Sequence, residues 1–151
     1  MNALPDPIVR AALPQDAAAV IACARAFHAE DGHPLPTQGA DALTMLVAGP
    51  SSDGCVFVLA SGETVLGYAA LCFGYSVEFG GRDGFVDDLY VAPEMRRRGH
   101  GTALYRAAEC EARARGCRAL HLEVMPGNSA EAWYRALGYV GRGGTLMSKR
   151  F

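Results

Sequence analysis

The chain changes its manner of turning at Pro93, and that change constrains the fold more than any other feature. Before it, apolar runs follow one another across short turns. Residues 55–60 (CVFVLA) and 64–73 (TVLGYAALCF) flank Ser61-Gly62-Glu63, a hairpin signal. Residues 76–79 extend the second run, and Gly80-Gly81-Arg82-Asp83-Gly84 turns the chain into a strand at 85–91 (FVDDLYV). Connections this short impose antiparallel pairing. After Pro93 a helix is expected at about 102–115, closed by Gly116, and a strand at 118–125 (RALHLEVM). Strand, helix and strand make a βαβ unit, whose two strands run parallel. The fold class is therefore α+β, or mixed α/β: an antiparallel front half joined to one βαβ unit.

The flanks fit this plan. Residues 8–13 (IVRAAL) read as a first strand, and Pro14 and Asp16 open a helix to about Glu30. Its apolar stripe is Ala17, Val20, Ile21, Ala24, Phe27 and His28. Residues 31–39 (DGHPLPTQG) form a loop, a weaker helix covers 40–48, and Gly49 to Gly54 break the chain. The 102–115 helix carries a stripe of Ala103, Leu104, Ala107, Cys110 and Ala114, mostly small residues that let it lie close on a sheet. Pro126-Gly127-Asn128-Ser129 start a last helix that Gly138 ends, and 139–149 read as a final strand.

Size and charge narrow the partners. At 151 residues one domain spanning 1–151 is expected. Half of the residues are hydrophobic and the formal net charge is -2, which excludes wholesale disorder. A pI of about 6.1 argues against a nucleic-acid-binding face. The cysteines, Cys23, Cys55, Cys72, Cys110 and Cys117, show no zinc spacing and read as buried free thiols in a reducing compartment. No run is long and apolar enough for a membrane span, and Met1 to Pro7 lacks a leader pattern, so a cytoplasmic location is expected.

Within this near-neutral chain, Arg96, Arg97 and Arg98 are consecutive and lead into Gly99-His100-Gly101-Thr102. A helix start offers unpartnered N–H groups and the positive end of the helix dipole. Glycines let backbone approach an anion, and arginines add charge-assisted bonds, so the segment reads as a phosphate cradle. A solvated basic loop before a helix is the alternative. The cradle is neither a P-loop, which needs a lysine after the glycines, nor a Rossmann turn, which needs a third glycine.

Arg96-x-x-Gly99-x-Gly101 resembles the [Arg/Gln]-x-x-Gly-x-[Gly/Ala] signature of the GNAT superfamily of acyl-CoA-dependent N-acetyltransferases. Asp87 to Pro93, His121-Leu122-Glu123-Val124, Asn128, Trp133-Tyr134 and Gly138 are similar to its flanking pattern. Tyr75 to Asp83 is similar to bacterial members related to polyamine acetyltransferases. The resemblance implies a central, mostly antiparallel sheet of six or seven strands with about four helices on both faces, splayed between strands 85–91 and 118–124. It implies acetyl-CoA as co-substrate and no metal. The cofactor residues it implies are Leu89, Tyr90, Val91, Arg96, Arg97, Arg98, Gly99, His100, Gly101, Thr102, Asn128 and Tyr134. Leu89 and Val91 would pair with the pantetheine arm, and the Val91 amide would polarise the thioester carbonyl.

The implied reaction is acetyl transfer to a primary amine, for which a small cationic acceptor is expected. Protein or peptide acetylation is the enzymatic alternative, and a non-catalytic acyl-CoA-binding module the other. Tyr134 is the candidate acid, and Asp87 or Asp88 the base or water relay. Strand alternation puts the two aspartates on opposite faces, with Asp87 beside Phe85, Leu89 and Val91, and Asp87 is preferred. A structural acid is the alternative for either. Tyr75, Glu78 and His33 are candidate substrate contacts. Dimers are common in the family, so a homodimer is compatible with the resemblance, but the sequence does not establish one.

Overall fold

The computed structural model describes residues 5–151; residues 1–4, part of the Met1–Pro7 stretch read for a leader, lie outside the described residues. Five strands form one sheet in chain order: β1 (Ile8–Ala11), β2 (Gly54–Ser61), β3 (Thr64–Ser76), β4 (Gly81–Val91) and β5 (Leu120–His121). The first three pairings are antiparallel and β4 to β5 is parallel. The first hairpin and the βαβ unit thus lie where the turn pattern puts them; the second turn falls earlier, on 77–80, so that β3 ends at Ser76 and Gly81 to Gly84, expected as the turn, begin β4.

The helices are α1 (Ala17–Glu30), α2 (Thr37–Val47), α3 (His100–Ala114) and α4 (Glu131–Ala136). Strand alternation sorts the core into two layers. Val56, Val58 and Ala60 of β2, with Tyr68 and Ala70 of β3, meet Val20 and Ala24 of α1 and Leu43 and Val47 of α2. On the other face Cys55 and Leu71 meet Tyr105, Ala108 and Ala112 of α3, while Leu59 and Ala69 meet Leu104. Full burial of Leu104 stabilises the fold by roughly 1.5–3 kcal/mol. The α3 stripe is rotated from the expected one: Tyr105, Ala108 and Ala112 are buried, whereas Ala103 and Cys110 are exposed.

The first helix starts on a buried carboxylate. Asp16 accepts from the Leu13 amide at 2.7 Å and from Arg10 at 2.6 and 3.0 Å. These bonds join β1 to the entry of α1. The Arg10 guanidinium, first, and the Leu13 amide hold the Asp16 carboxyl below the ordinary carboxylate range, against the opposing effect of burial.

Two elements differ from expectation. Residues 140–151 carry no strand, so the sheet has five strands. Gly141, Gly143 and Gly144 weaken strand formation there, and β propensity without a neighbouring strand is not enough. The strand expected at 118–125 is limited to Leu120–His121. Only Gly84–Leu120 and Phe85–His121 pair across β4 and β5. Beyond Phe85 the strands diverge, leaving the outer edge of β4 open.

Candidate active site

The divergence makes a cleft of about 590 Å³, walled by Val86, Asp87 and Leu89 to Val91 on one side and by Leu122, Glu123 and Met125 to Ala130 on the other. Phe27, Glu30 and Asp31 at the end of α1, with Arg96 and Tyr134, complete it. The hydrogen-bond parity of β4 decides what faces this space. The Ala92 amide donates to Leu66 O on β3 at 2.8 Å, and Tyr68 stands opposite Tyr90. Alternation then turns the N–H and C=O of Leu89 and Val91 away from β3, into the cleft. Tyr90 points its backbone back to β3 and its ring into the α1 layer.

At the end of this edge stands the glycine turn. Gly99 has φ +83°, the left-handed region, at the N-cap of α3, and no side chain caps the helix. The first helical bond runs from Ala103 N to Gly99 O at 3.0 Å, so the amides of His100, Gly101 and Thr102 precede the helix's own ladder. Gly101 has no such conformational reason to be glycine. A Cβ there would meet nothing nearer than Val91 Cγ2 at 3.9 Å. The protein's own packing leaves this position open, which suits a phosphate lying against bare backbone. Arg97 and Arg98 are exposed beside it. Arg96 is exposed too, but it is engaged within the protein: it bonds Val91 O and Glu30.

The aspartates depart from simple alternation. Ala70 pairs with Asp88 and Leu71 with Val86, so Asp87 is an extra residue in β4, a β-bulge. The bulge reverses which side chains face which layer. Val86 packs under α3, whereas Asp88 meets Tyr68 on the α1 side and Tyr90 packs there too. Asp87 and Asp88 therefore share one pocket with Phe85, and Asp87 does not share the face of Leu89 and Val91. The pocket, about 440 Å³, adjoins the cleft through Phe27, Asp31, Asp87, Glu123 and Met125. Its carboxylates are Asp31, Asp87, Asp88 and Glu123, its histidines His28 and His33, and no lysine or arginine lines it. Leu35, Pro36, Leu43 and Leu46 give it an apolar floor.

The two acids differ in surroundings. Tyr68 Oη donates to Asp88 Oδ2 at 2.6 Å, and His28 Nε2 lies 3.7 Å from Asp88 Oδ1. Among the described residues Asp87 has no such partner. Desolvation pushes its carboxyl above the ordinary range, the charge of Asp88 adds to this, and His28 opposes it. Burial, with Asp87 and Asp88 nearby, pushes the Cys72 thiol in the same pocket up to about 11, so it stays protonated.

Tyr134 lies on α4 at the far wall of the cleft, and no protein group bonds its hydroxyl among the described residues. Burial, then Tyr105, raises its pKa, so the phenol is protonated at neutral pH. Asn128 lines the cleft and uses Oδ1 to accept from the Ala130 amide at 2.9 Å, so its amide nitrogen is not taken up by that bond.

Of the expected substrate contacts, only His33 lines the acidic pocket. Tyr75 is 80% exposed, and Glu78 pairs with Arg142 on the surface; neither borders the cleft or the pocket. Asp31 and Glu123, not among the expected contacts, line the acidic pocket instead. Asp31 stood in a loop with no local mark of its destination, while Glu123 lay in the recognised strand pattern and carried a usable signal. Among the described residues no cluster of His, Cys, Asp and Glu could hold a metal ion, and no helix is long and apolar enough to cross a membrane.

Residues 20–139 match the acetyltransferase (GNAT) family. The chain belongs to that family. It is 40% identical over 142 residues to the mycothiol acetyltransferase of Kineococcus radiotolerans, covering 89% of this chain and 43% of the relative. It is 37% identical over 78 residues to the thialysine N-epsilon-acetyltransferase of Bos taurus, covering 51% of this chain and 45% of the relative. The chain thus spans about half the length of the curated relatives it matches. An integron cassette protein from the mobile metagenome of Cole Harbour Salt Marsh superposes with a TM-score of 0.79 at 31% identity, covering 94% of this GNAT chain and 89% of that one.

Proposed function

We propose that this chain transfers the acetyl group of acetyl-CoA to a small cationic primary amine. One juxtaposition carries the reading: an outward-facing strand edge runs from a four-carboxylate pocket to an uncapped helix start whose Gly101 the fold does not require. Acetyl-CoA supplies an acyl group activated as a thioester. The residues of the cleft fit it. The backbone of Leu89 and Val91 takes the pantetheine arm as a strand would, and the Val91 N–H polarises the carbonyl. The Asn128 amide nitrogen donates to the same arm. The amides leading from Arg98 to Thr102 receive the pyrophosphate, with Arg97, Arg98 and the Thr102 hydroxyl beside it.

The acidic pocket draws in the acceptor as its ammonium. A free alkylamine has a pKa near ~10, so a proton must leave before attack. Asp87, whose carboxyl lies above the ordinary range, receives it directly or through water, a better match for a base near neutral pH than an ordinary carboxylate. Asp88, fixed by Tyr68, holds the cation in place. The amine nitrogen bonds to the carbonyl carbon, the carbon–sulfur bond breaks, and Tyr134 protonates the departing thiolate.

The test is release of free thiol from acetyl-CoA across a panel of diamines, neutral amines, amino acids and peptides. Diamines should be the best acceptors. Equal rates with neutral amines would remove the cationic preference, and peptides as best acceptors would mark a protein substrate. Coenzyme binding without turnover on any amine would leave a binding module.

A further inference from the structure

Arg96 is grouped by sequence with Arg97 and Arg98, and the expected role was the same phosphate contact. Its surroundings differ from theirs. Nε donates to Val91 O at 2.8 Å, and Nη2 lies 2.7 and 2.9 Å from the two carboxylate oxygens of Glu30. The guanidinium also sits 5.5 Å over the Tyr90 ring. All three partners belong to the protein, and all border the cleft or its edge.

We propose that Arg96 and Glu30 are a positioning pair for the coenzyme edge of β4, and not phosphate-binding groups. This rests on the acetyl-CoA reading given under Proposed function. Val91 is the last residue of β4, and its carbonyl and amide face the open side. β3 pairs one edge of β4 as far as Val91, but no strand lies along the other edge there, so the polar groups on that side need another partner. Arg96 holds the carbonyl and so fixes the plane in which the Val91 amide addresses the cleft. Glu30 is the last residue of α1, so the same guanidinium ties that helix end to β4. Phe27 and Asp31, which border both the cleft and the acidic pocket, are set with it. A guanidinium engaged by a carboxylate presents little net charge to an anion.

The pair gives an effect of opposite sign to the phosphate-contact role. Glu30→Ala removes a negative charge near the coenzyme phosphates and frees Arg96. A phosphate-binding Arg96 would then tighten CoA. The positioning pair requires the reverse: weaker CoA binding, by roughly threefold to tenfold, because the edge loosens. Glu30→Gln, which still accepts from the guanidinium, should recover most of the affinity. Titration calorimetry with CoA at several salt concentrations reads both variants. Arg98→Ala should lower affinity and flatten its salt dependence, whereas Arg96→Ala combined with Glu30→Ala, which removes no net charge, should lower affinity with the slope preserved. Amide exchange over 89–92 in the ligand-free protein should rise in Glu30→Ala. Unchanged or tighter CoA binding in Glu30→Ala, or a flattened slope in the Arg96→Ala, Glu30→Ala double variant, overturns the pair's role. Absence of CoA binding by the unaltered chain would instead overturn the acetyltransferase reading itself.

Discussion

Replacing Gly101 by alanine should stabilise the protein and impair it in the same step. The position lies in the first turn of α3 at an ordinary helical φ, and the nearest atom to an added Cβ is Val91 Cγ2 at 3.9 Å, ordinary van der Waals contact. Glycine within a helix costs roughly 0.5–1 kcal/mol relative to alanine. That gain corresponds to a rise in Tm of about 1–4 °C for a chain of this size. The same methyl projects toward the space in which a phosphate would lie against the backbone. Losing one charge-assisted hydrogen bond there costs about 1.5–3 kcal/mol, or roughly 10- to 100-fold in Kd for CoA. Thermal unfolding of the ligand-free protein and CoA calorimetry read the two arms separately. Gly99→Ala is the contrast: its φ of +83° makes any side chain strained, so stability falls there by about 1–2 kcal/mol. A Gly101→Ala protein that binds CoA within twofold of the original would refute the cradle. A fall in Tm of several degrees would show that the fold, not a ligand, requires the glycine.

Tyr134→Phe should lower turnover by about 10²–10⁴-fold with CoA affinity unchanged; unaltered turnover would remove the acid role. Asp87→Asn should lower turnover by a factor on the order of 10² in steady-state assays. The same change should raise Tm at neutral pH: a carboxyl whose folded pKa is raised favours folding below its unfolded value of 3.8 and loses that contribution as pH rises through the folded value. The gain should fade as the pH of the thermal scan falls below 3.8, and an equal Tm at both pH values would contradict the desolvation of Asp87. Asp16→Ala has the opposite sign. The lowered carboxyl stabilises the fold above its unfolded value of 3.8 and is lost as pH falls through the folded one. Urea unfolding at pH 7 should show a loss of about 2–4 kcal/mol, since Arg10 and the Leu13 amide lose their partner, and the gap should narrow in acid.

Local signals were legible and long-range ones were not. The first hairpin, the α1 stripe and the helix opened by the glycine turn rest on neighbours in sequence, and they lie where those neighbours dictate. The bulge at Asp87 has no such mark. It arises from how β3 and β4 settle their register, and without it alternation assigns Asp87 and Asp88 to opposite faces. Arg96 presents the same limit. Nothing in three consecutive arginines distinguishes the one that meets Glu30, sixty-six residues away, from the two beside it. Glu78 follows β3 closely in sequence, but its partner Arg142 lies sixty-four residues on, in a segment expected to be a strand. Asp31, in a loop, reaches the acidic pocket because α1 ends beside β4.

The open edge of β4 has a consequence for the behaviour of the protein in crowded solution. An exposed strand edge invites pairing with any other extended chain, and most proteins cover or spoil such edges. Here the end of the edge is already spoiled: Arg96 occupies the Val91 carbonyl, the bulge at Asp87 interrupts the ladder, and two carboxylates stand beside it. Only the short stretch about Leu89 and Val91 stays available. A slender chain a few atoms wide can still lie along it, while a full strand would meet a blocked carbonyl at one end and a kink at the other. The gap that admits a ligand is thus too short and too irregular to recruit a stray strand into aggregation.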